Sequence, residues 1–390
     1  MRILHTSDWH LGRSFHREGM LTHQGAFVDH VLEVVAAEKV DLVVVSGDVY
    51  DRALPPVDAV KLANEAFTRL SRSGARVVIS SGNHDSAQRL GFGSELIDAA
   101  GIHLRTRASE VGTPVMVEDA HGPVAVHALP YLEPDLLREP WSLAARSHEA
   151  VLGEAMRRVN ADLAARPGAR SVVLAHAFVA DVAATVPEVS DSERDISVGG
   201  VSIAPAALFD GIDYVALGHL HGRATLTDRV RYSGSPLAYS FSEARHLKGS
   251  WLVDLDGTGQ VRAEFIEAPV PRRLHQLSGE LAALLADPAL DAHHEDWLAI
   301  TLTDQIRPNA AMEQLRQRFP HTLQLSFAPS GPMPRDGARQ RPGAGVSDHQ
   351  ITLDFIAELR GVPADDAEAA LLQEACDACT HDRDLDREAG

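Results

Sequence analysis

Five short apolar runs, each closed abruptly by a polar residue that can carry a proton or a metal, set the rhythm of this chain. Val43-Val44-Val45-Ser46 runs into Gly47-Asp48, and Ile3-Leu4-His5-Thr6-Ser7 runs into Asp8-Trp9-His10. Val77-Val78-Ile79-Ser80-Ser81 runs into Gly82-Asn83-His84-Asp85. Val172-Val173-Leu174-Ala175 ends at His176, and Tyr214-Val215-Ala216-Leu217 ends at Gly218-His219-Leu220-His221. Runs of β-branched residues without polar alternation read as strands buried on both faces, as in the centre of an α/β sheet. Open α/β sheets place their ligands at the carboxyl ends of such strands.

Helical periodicity fills the intervals. Residues 24–38 carry Phe27, Val31, Val34 and Val35 at helical spacing, and residues 57–71 carry Val60, Leu62, Ala63 and Phe67. Residues 87–99 and 148–165 read as further helices, with shorter strands near 102–104, 115–117, 124–129, 229–232, 250–254 and 261–267. Alternating strands and helices predict an α/β layered domain over residues 1–270. Residues 271–328 change to strand, helix, strand, helix, strand, a small α+β domain. Residues 329–349 are rich in Pro, Gly and Arg without periodicity and read as a flexible linker. In 350–390, two amphipathic helices (351–360 and 365–379) flank Gly361-Val362-Pro363. They lack a core of their own, so their apolar faces call for a partner.

Composition narrows the class. A length of 390 residues exceeds one ordinary domain. No apolar stretch is long enough to span a membrane. The N-terminus enters a strand without a secretory leader, so cytoplasmic residence is expected. Two cysteines, Cys376 and Cys379, build no disulfide framework and fit a reducing compartment. The net charge of −19 argues against a basic nucleic-acid footprint. Its weight is reduced because residues 350–390 alone contribute −8 and because ligand acids are offset by bound cations.

The strand-end residues supply the chemistry. Carboxylate, imidazole and amide oxygen together suit a hard-to-intermediate divalent metal such as Mn²⁺. Asp8, His10, Asp48, Asn83, His176, His219 and His221 exceed what one ion needs. They suit two ions about 3.5–4 Å apart that share one carboxylate. Asp48, on the central strand, is the expected bridge. The i, i+2 spacings of Asp8 with His10 and of His219 with His221 put each pair on one side of an extended segment. His84 is left to act on the phosphate, its tautomer held by Asp85 or another acid. Asp51, Asp85 and Asp181 are candidate supporting acids. The bland alternative, in which these groups satisfy one another inside the core, would gather several unpaired imidazoles and carboxylates at one sheet edge.

Taken together, Asp8-Trp9-His10-Leu11-Gly12, Gly47-Asp48-Val49-Tyr50-Asp51, Gly82-Asn83-His84-Asp85, His176 and Gly218-His219-Leu220-His221 resemble the calcineurin-like metallophosphoesterase signature. Asp8 to Arg13, Asp51 to Pro56, Asn83 to Ser86 and Tyr232-Ser233-Gly234-Ser235-Pro236 narrow the resemblance to the SbcD family of double-strand-break repair nucleases. The resemblance implies a layered α/β/β/α sandwich with a capping domain and a helical tail. It implies one metal on Asp8, His10, Asp48 and His221, a second on Asp48, Asn83, His176 and His219, and His84 as the catalytic residue. Mn²⁺ is the implied metal, with Mg²⁺ the other candidate. The implied activity is 3′–5′ exonuclease on duplex ends and endonuclease on single strands or hairpins, in DNA repair, recombination and replication. Implied partners are DNA, a second copy paired through residues 57–71 and 87–99, and an SbcC-type, SMC-like ABC ATPase docked on the tail in a heterotetramer. The chain has no Gly-x-x-x-x-Gly-Lys-Ser/Thr loop, so ATP hydrolysis falls to that partner.

Other polar residues carry plainer readings. Cys376 and Cys379 read as incidental packing, and His5, His103 and His127 as core or edge residues. Trp9 reads as packing under the site. Arg13, Arg52, His16 and His23 are weaker candidates for facing a substrate. The competing enzyme reading is a small-molecule or cyclic-nucleotide phosphodiesterase; a scaffold with a structural metal is the non-enzymatic one. The tail helices argue against the first and the unligated His84 against the second.

Overall fold

The computed structural model describes residues 1–180, 190–193, 203–330 and 346–388. The chain divides into one unit spanning Met1–Leu274 and another spanning His275–Gly390. In the first unit, β1 (Arg2–Thr6), β2 (Leu42–Ser46), β3 (Arg76–Ser80) and β4 (Ile102–Arg105) lie parallel, side by side. Val43, Val45, Val77 and Ile79 pack against α1 (Leu21–Ala37) and α2 (Val57–Ser71). The alternate side chains Ile3, Leu42, Val44 and Val78 face the other way, onto a second sheet. Helices on one side and a sheet on the other explain why these strands are apolar throughout. Each such buried side chain contributes about 1.5–3 kcal/mol.

The helix expected over residues 87–99 is two short ones, α3 (Ala87–Leu90) and α4 (Ser94–Asp98). The chain breaks at Gly91-Phe92-Gly93, where two glycines in three residues weaken helix propensity. The second sheet contains β5 (Val115–Asp119), β6 (Gly122–Leu129), β7 (Arg170–His176), β8 (Tyr214–Gly218), β9 (Ala224–Thr225) and β10 (Val230–Tyr232). Its strand order is β9-β10-β8-β7-β6-β5. The outer face is covered by α5 (His148–Ala164), whose Val151, Ala155 and Val159 join Val173, Val215 and Leu217 in one core. The chain then returns to the first sheet through β11 (Gly249–Leu255) and β12 (Val261–Glu267), giving the order β12-β11-β1-β2-β3-β4. The layers are α/β/β/α, the sandwich the motifs implied.

In the second unit, β13 (Leu274–Gly279), β14 (Trp297–Leu302) and β15 (Thr322–Phe327) form a sheet. It packs with α6 (Leu281–Ala286) and α7 (Ala311–Arg318) around Leu284, Leu298, Ile300, Leu315 and Phe319. Most of the expected linker, residues 331–345, lies outside the described residues. Beyond it, α8 (Asp348–Arg360) and α9 (Asp366–Glu388) are joined by a hydrogen bond of 3.0 Å between His349 Nε2 and the Ala369 carbonyl. Phe355, Leu359 and Leu371 on these helices are exposed. Among the described residues no helix is long and apolar enough to cross a membrane.

Candidate metal centre

The ends of β1, β2, β3, β7 and β8 deliver Asp8, His10, Asp48, Asn83, His84, His176, His219 and His221 to one place. All are buried except Asn83, which is half-buried. The route is more strained than a strand register suggests. Asp8 (φ 54°), His10 (φ 46°), Asp48 (φ 50°) and His219 (φ 108°) occupy left-handed backbone that costs a non-glycine residue about 1–3 kcal/mol. Asp8 and His10 therefore share a side because of two left-handed residues, not because the segment is extended. The loops are fastened to each other: the Asp8 N–H donates to Gly47 O at 3.1 Å, and the His10 N–H to Asp48 O at 3.0 Å. Gly47, at φ +83°, leaves room for the His176 ring, and Gly82 leaves room for the Asp48 carboxylate; a Cβ at either position would collide with that group.

The hydrogen bonds fix which ring atoms face inward. Nδ1 of His176 lies 2.9 Å from the Ser46 carbonyl, which can only accept, so Nδ1 carries the proton. Its Nε2 then meets two further acceptors, Asn83 Oδ1 at 2.9 Å and Asp48 Oδ2 at 3.4 Å. Nδ1 of His221 donates to Ser192 Oγ at 2.6 Å and to Glu243 Oε1 at 3.2 Å. Its Nε2 therefore points at His10 Nε2, 3.0 Å away. His10 Nδ1 is buried without a hydrogen-bond partner. Acceptors thus converge on the lone pair of His176 Nε2, and such convergence is satisfied by a proton or a cation. One donor atom each from Asp8, His10 and His221 lies within 4.8 Å of the others, and the same holds for Asp8, Asp48 and His176. His10, Asp48 and His84 form a third such group, so His84 stands close enough to share an ion. The donor set fits divalent metal.

Charge states follow from this crowding. Burial, with Asp48 beside it, pushes the Asp8 carboxyl up to about 7 against the pull of His176. Burial also opposes charge on Asp48, but His176, His10 and His84 outweigh it and hold that carboxyl well below its usual range. His176 is buried too, yet Asp48 and Asp8 raise it to about 9. Burial, reinforced by His176, lowers His219 to about 3, and burial holds His10 well below its ordinary value.

His84 is oriented differently from expectation. Its Nδ1 donates to the backbone carbonyl of Asp51 at 2.6 Å, which leaves the lone pair on Nε2. Asp85 does not hold that ring. Its carboxylate accepts from the backbone N–H groups of Val49, Tyr50 and Gly82 at 2.9–3.1 Å and so clamps two ligand-bearing loops together. Arg13 is committed to the protein: it donates to Ser192 O at 2.6 Å and lies over the Tyr239 ring. His16 is exposed and packs against Phe15 and Phe241, which also touch each other. His5 is a core residue, bonded to Tyr214 Oη at 2.8 Å. Trp9 packs edge-on to Phe27 and donates to Thr6 Oγ1 at 3.0 Å. Asp181 and the side chain of Cys379 lie outside the described residues.

Several residues at the site carry no sequence signal. Buried Glu243 accepts from His221, Ser190, Ser192 and Lys248. Lys248 also donates to the His221 carbonyl and to Ser235 Oγ, each at 2.9 Å. Glu193 accepts from the His221 N–H, and burial pushes its carboxyl up to about 8. Gln24 bonds the His10 carbonyl at 2.8 Å and Tyr239 Oη at 3.1 Å. None of these belongs to a strand-end motif.

Comparison with known proteins matches both units. Residues 1–223 match the calcineurin-like phosphoesterase family model. Residues 270–355 match the SbcD C-terminal model, described as the type 5 capsule protein repressor C-terminal domain. Among solved structures, a beta-glucosidase from Exiguobacterium marinum aligns over 84% of this chain and 89% of its own at 8% identity, with a TM-score of 0.23. A family 1 b-glucosidase from Thermotoga maritima aligns over 77% and 75%, also at 8% identity, with a TM-score of 0.17. Neither score indicates a shared fold.

Proposed function

Because the chain belongs to the calcineurin-like phosphoesterase family and carries an SbcD-type C-terminal domain, we propose that this metal-binding phosphoester hydrolase is a DNA nuclease. Its activity is 3′–5′ exonucleolytic on duplex ends and endonucleolytic on single strands and hairpins. The observation that carries this reading is the joining of those two domains in one chain, since a self-contained small-molecule phosphodiesterase has no use for the second.

Asp8, His10, Asp48 and His221 would hold one divalent ion, and Asp48, Asn83, His176 and His219 the other, with Mn²⁺ preferred over Mg²⁺. Bound there, the ions supply positive charge to the phosphate oxygens and make the attacking water more acidic. The side chains do the rest. Glu243 and Ser46 fix the tautomers of His221 and His176 so that Nε2 of each faces inward. His84, anchored through Nδ1, presents Nε2 to the leaving oxygen and protonates it.

The α+β domain over residues 271–328 positions DNA, and residues 350–390, reached through the 329–349 linker, dock on an SbcC-type ABC ATPase in the cytoplasm. Exposed Phe355, Leu359 and Leu371 support the docking reading. A homodimer pairs through α2 and the α3–α4 region, supported by Val57, Phe92 and Leu96, which are 70%, 85% and 84% exposed.

The test is purified protein with Mn²⁺ on linear duplex, hairpin and cyclic-nucleotide substrates. DNA cleavage abolished by His84→Ala in a folded variant is expected. Turnover of cyclic nucleotides without DNA cleavage favours the phosphodiesterase alternative.

A further inference from the structure

A second group of metal-ligating side chains lies in the other unit. His275 stands at the start of β13, His293 ends the short 3₁₀ turn Pro288–His293, and Asp296 precedes β14. One donor atom from each lies within 4.8 Å of the other two. The two imidazoles stack with ring centroids 3.8 Å apart and planes inclined by 24°. Nδ1 of His293 lies 2.7 Å from Asp296 Oδ2. The Asp296 side chain is 12% exposed, and its backbone N–H donates to the His293 carbonyl at 3.1 Å, which fixes the turn.

We infer that His275, His293 and Asp296 form a separate binding site for a borderline divalent cation such as Zn²⁺. A simple ion pair between His293 and Asp296 explains only two of the three residues. It leaves the second ring, brought from strand β13, stacked face to face on the first. Two imidazolium rings in that arrangement repel each other, whereas in the neutral rings His293 donates its Nδ1–H to Asp296 and keeps a lone pair on Nε2, and His275 keeps one on a ring nitrogen. Two imidazoles and one carboxylate are a recurrent first shell for Zn²⁺ and for other divalent transition metals. Ligand bonds of about 2.0–2.2 Å require the two rings to turn out of their stack so that a lone pair of each points at the ion. Three protein ligands leave positions for water or for an oxygen of a bound molecule. This site uses none of the residues assigned to phosphoester hydrolysis, so it stands whether or not that assignment holds.

The test is calorimetric titration of Zn²⁺ into the untagged, metal-stripped full-length chain and into its His275→Gln, His293→Gln and Asp296→Asn variants. Each variant should lose one Zn²⁺ equivalent or bind it at least about tenfold more weakly. An Asp8→Asn/His221→Gln variant should keep that equivalent. Circular dichroism verifies folding, and Asp296→Asn preserves both rings and the side-chain volume if a histidine variant misfolds. Unchanged Zn²⁺ binding in the folded variants overturns the site, as does loss of the same equivalent in the Asp8→Asn/His221→Gln variant.

Discussion

Glu243 Oε1 lies 3.2 Å from Nδ1 of His221 and also accepts from Ser192 Oγ, which sits 2.6 Å from the same nitrogen, so Glu243 and Ser192 together decide which nitrogen of His221 faces His10. The carboxylate can only accept, so the ring proton stays on Nδ1 and the lone pair on Nε2 is committed to the centre. Glu243→Gln retains the volume but makes that preference weak. Metal affinity should fall about 10–100-fold, measured by calorimetry, with cleavage recovered at higher Mn²⁺. A variant with wild-type affinity would reduce Glu243 to a packing residue.

Gly82 sits where a Cβ would strike the carboxylate and the backbone nitrogen of Asp48. Gly82→Ala must displace one of the two loops. The expected outcome is destabilisation by about 1–3 kcal/mol in denaturant titration and loss of metal binding. Undiminished metal binding in this variant would show that Asp48 does not need its present position.

These two predictions mark where the sequence was legible and where it was not. The runs Val43–Val45 and Val172–Leu174 are apolar because helices lie on one side of each sheet and the other sheet lies on the opposite side, so a strand reading was sound. Asp48 and His176 follow from being the polar residues that end them. Glu243 was invisible because its partner is 22 residues upstream on another element and no local spacing marks the pair. The grouping of Asp8 with His10 was anticipated for the wrong reason, since left-handed backbone cannot be read from an Asp-Trp-His triplet. The split of the 87–99 helix was legible in Gly91 and Gly93 but was overridden by apolar periodicity.

Protonation gives a pH signature. His176 is raised from 6.5 to about 9, so the folded chain holds that proton more tightly than the unfolded chain. Its contribution to stability is fully present below pH 6.5 and is lost as pH rises through about 9. Asp8 and Glu193, raised to about 7 and about 8, act with the same sign. Metal-free protein should therefore lose Tm between pH 6.5 and 9. Metal binding displaces protons, so Mn²⁺ affinity should rise over the same window, by about tenfold per pH unit for each proton released. A Tm that rises across this window in chelator contradicts these charge states.

The exposed apolar residues predict assembly. Phe92→Glu with Leu96→Glu should convert a dimer to a monomer in light scattering without loss of metal binding. A wild-type chain that is monomeric at micromolar concentration contradicts the pairing.

Deleting residues 350–390 should abolish co-purification with the ATPase while leaving the metal centre intact. Retained co-purification would move the docking surface elsewhere.

The central claim is that side chains from residue 8 to residue 221 hold two cations in contact through Asp48. Electron paramagnetic resonance of the metal-stripped protein titrated with Mn²⁺ measures this directly. The spectrum of an exchange-coupled Mn²⁺ pair, lost in Asp48→Asn, is the predicted result. Isolated Mn²⁺ signals at every ratio, or a coupled pair that survives Asp48→Asn, would contradict it.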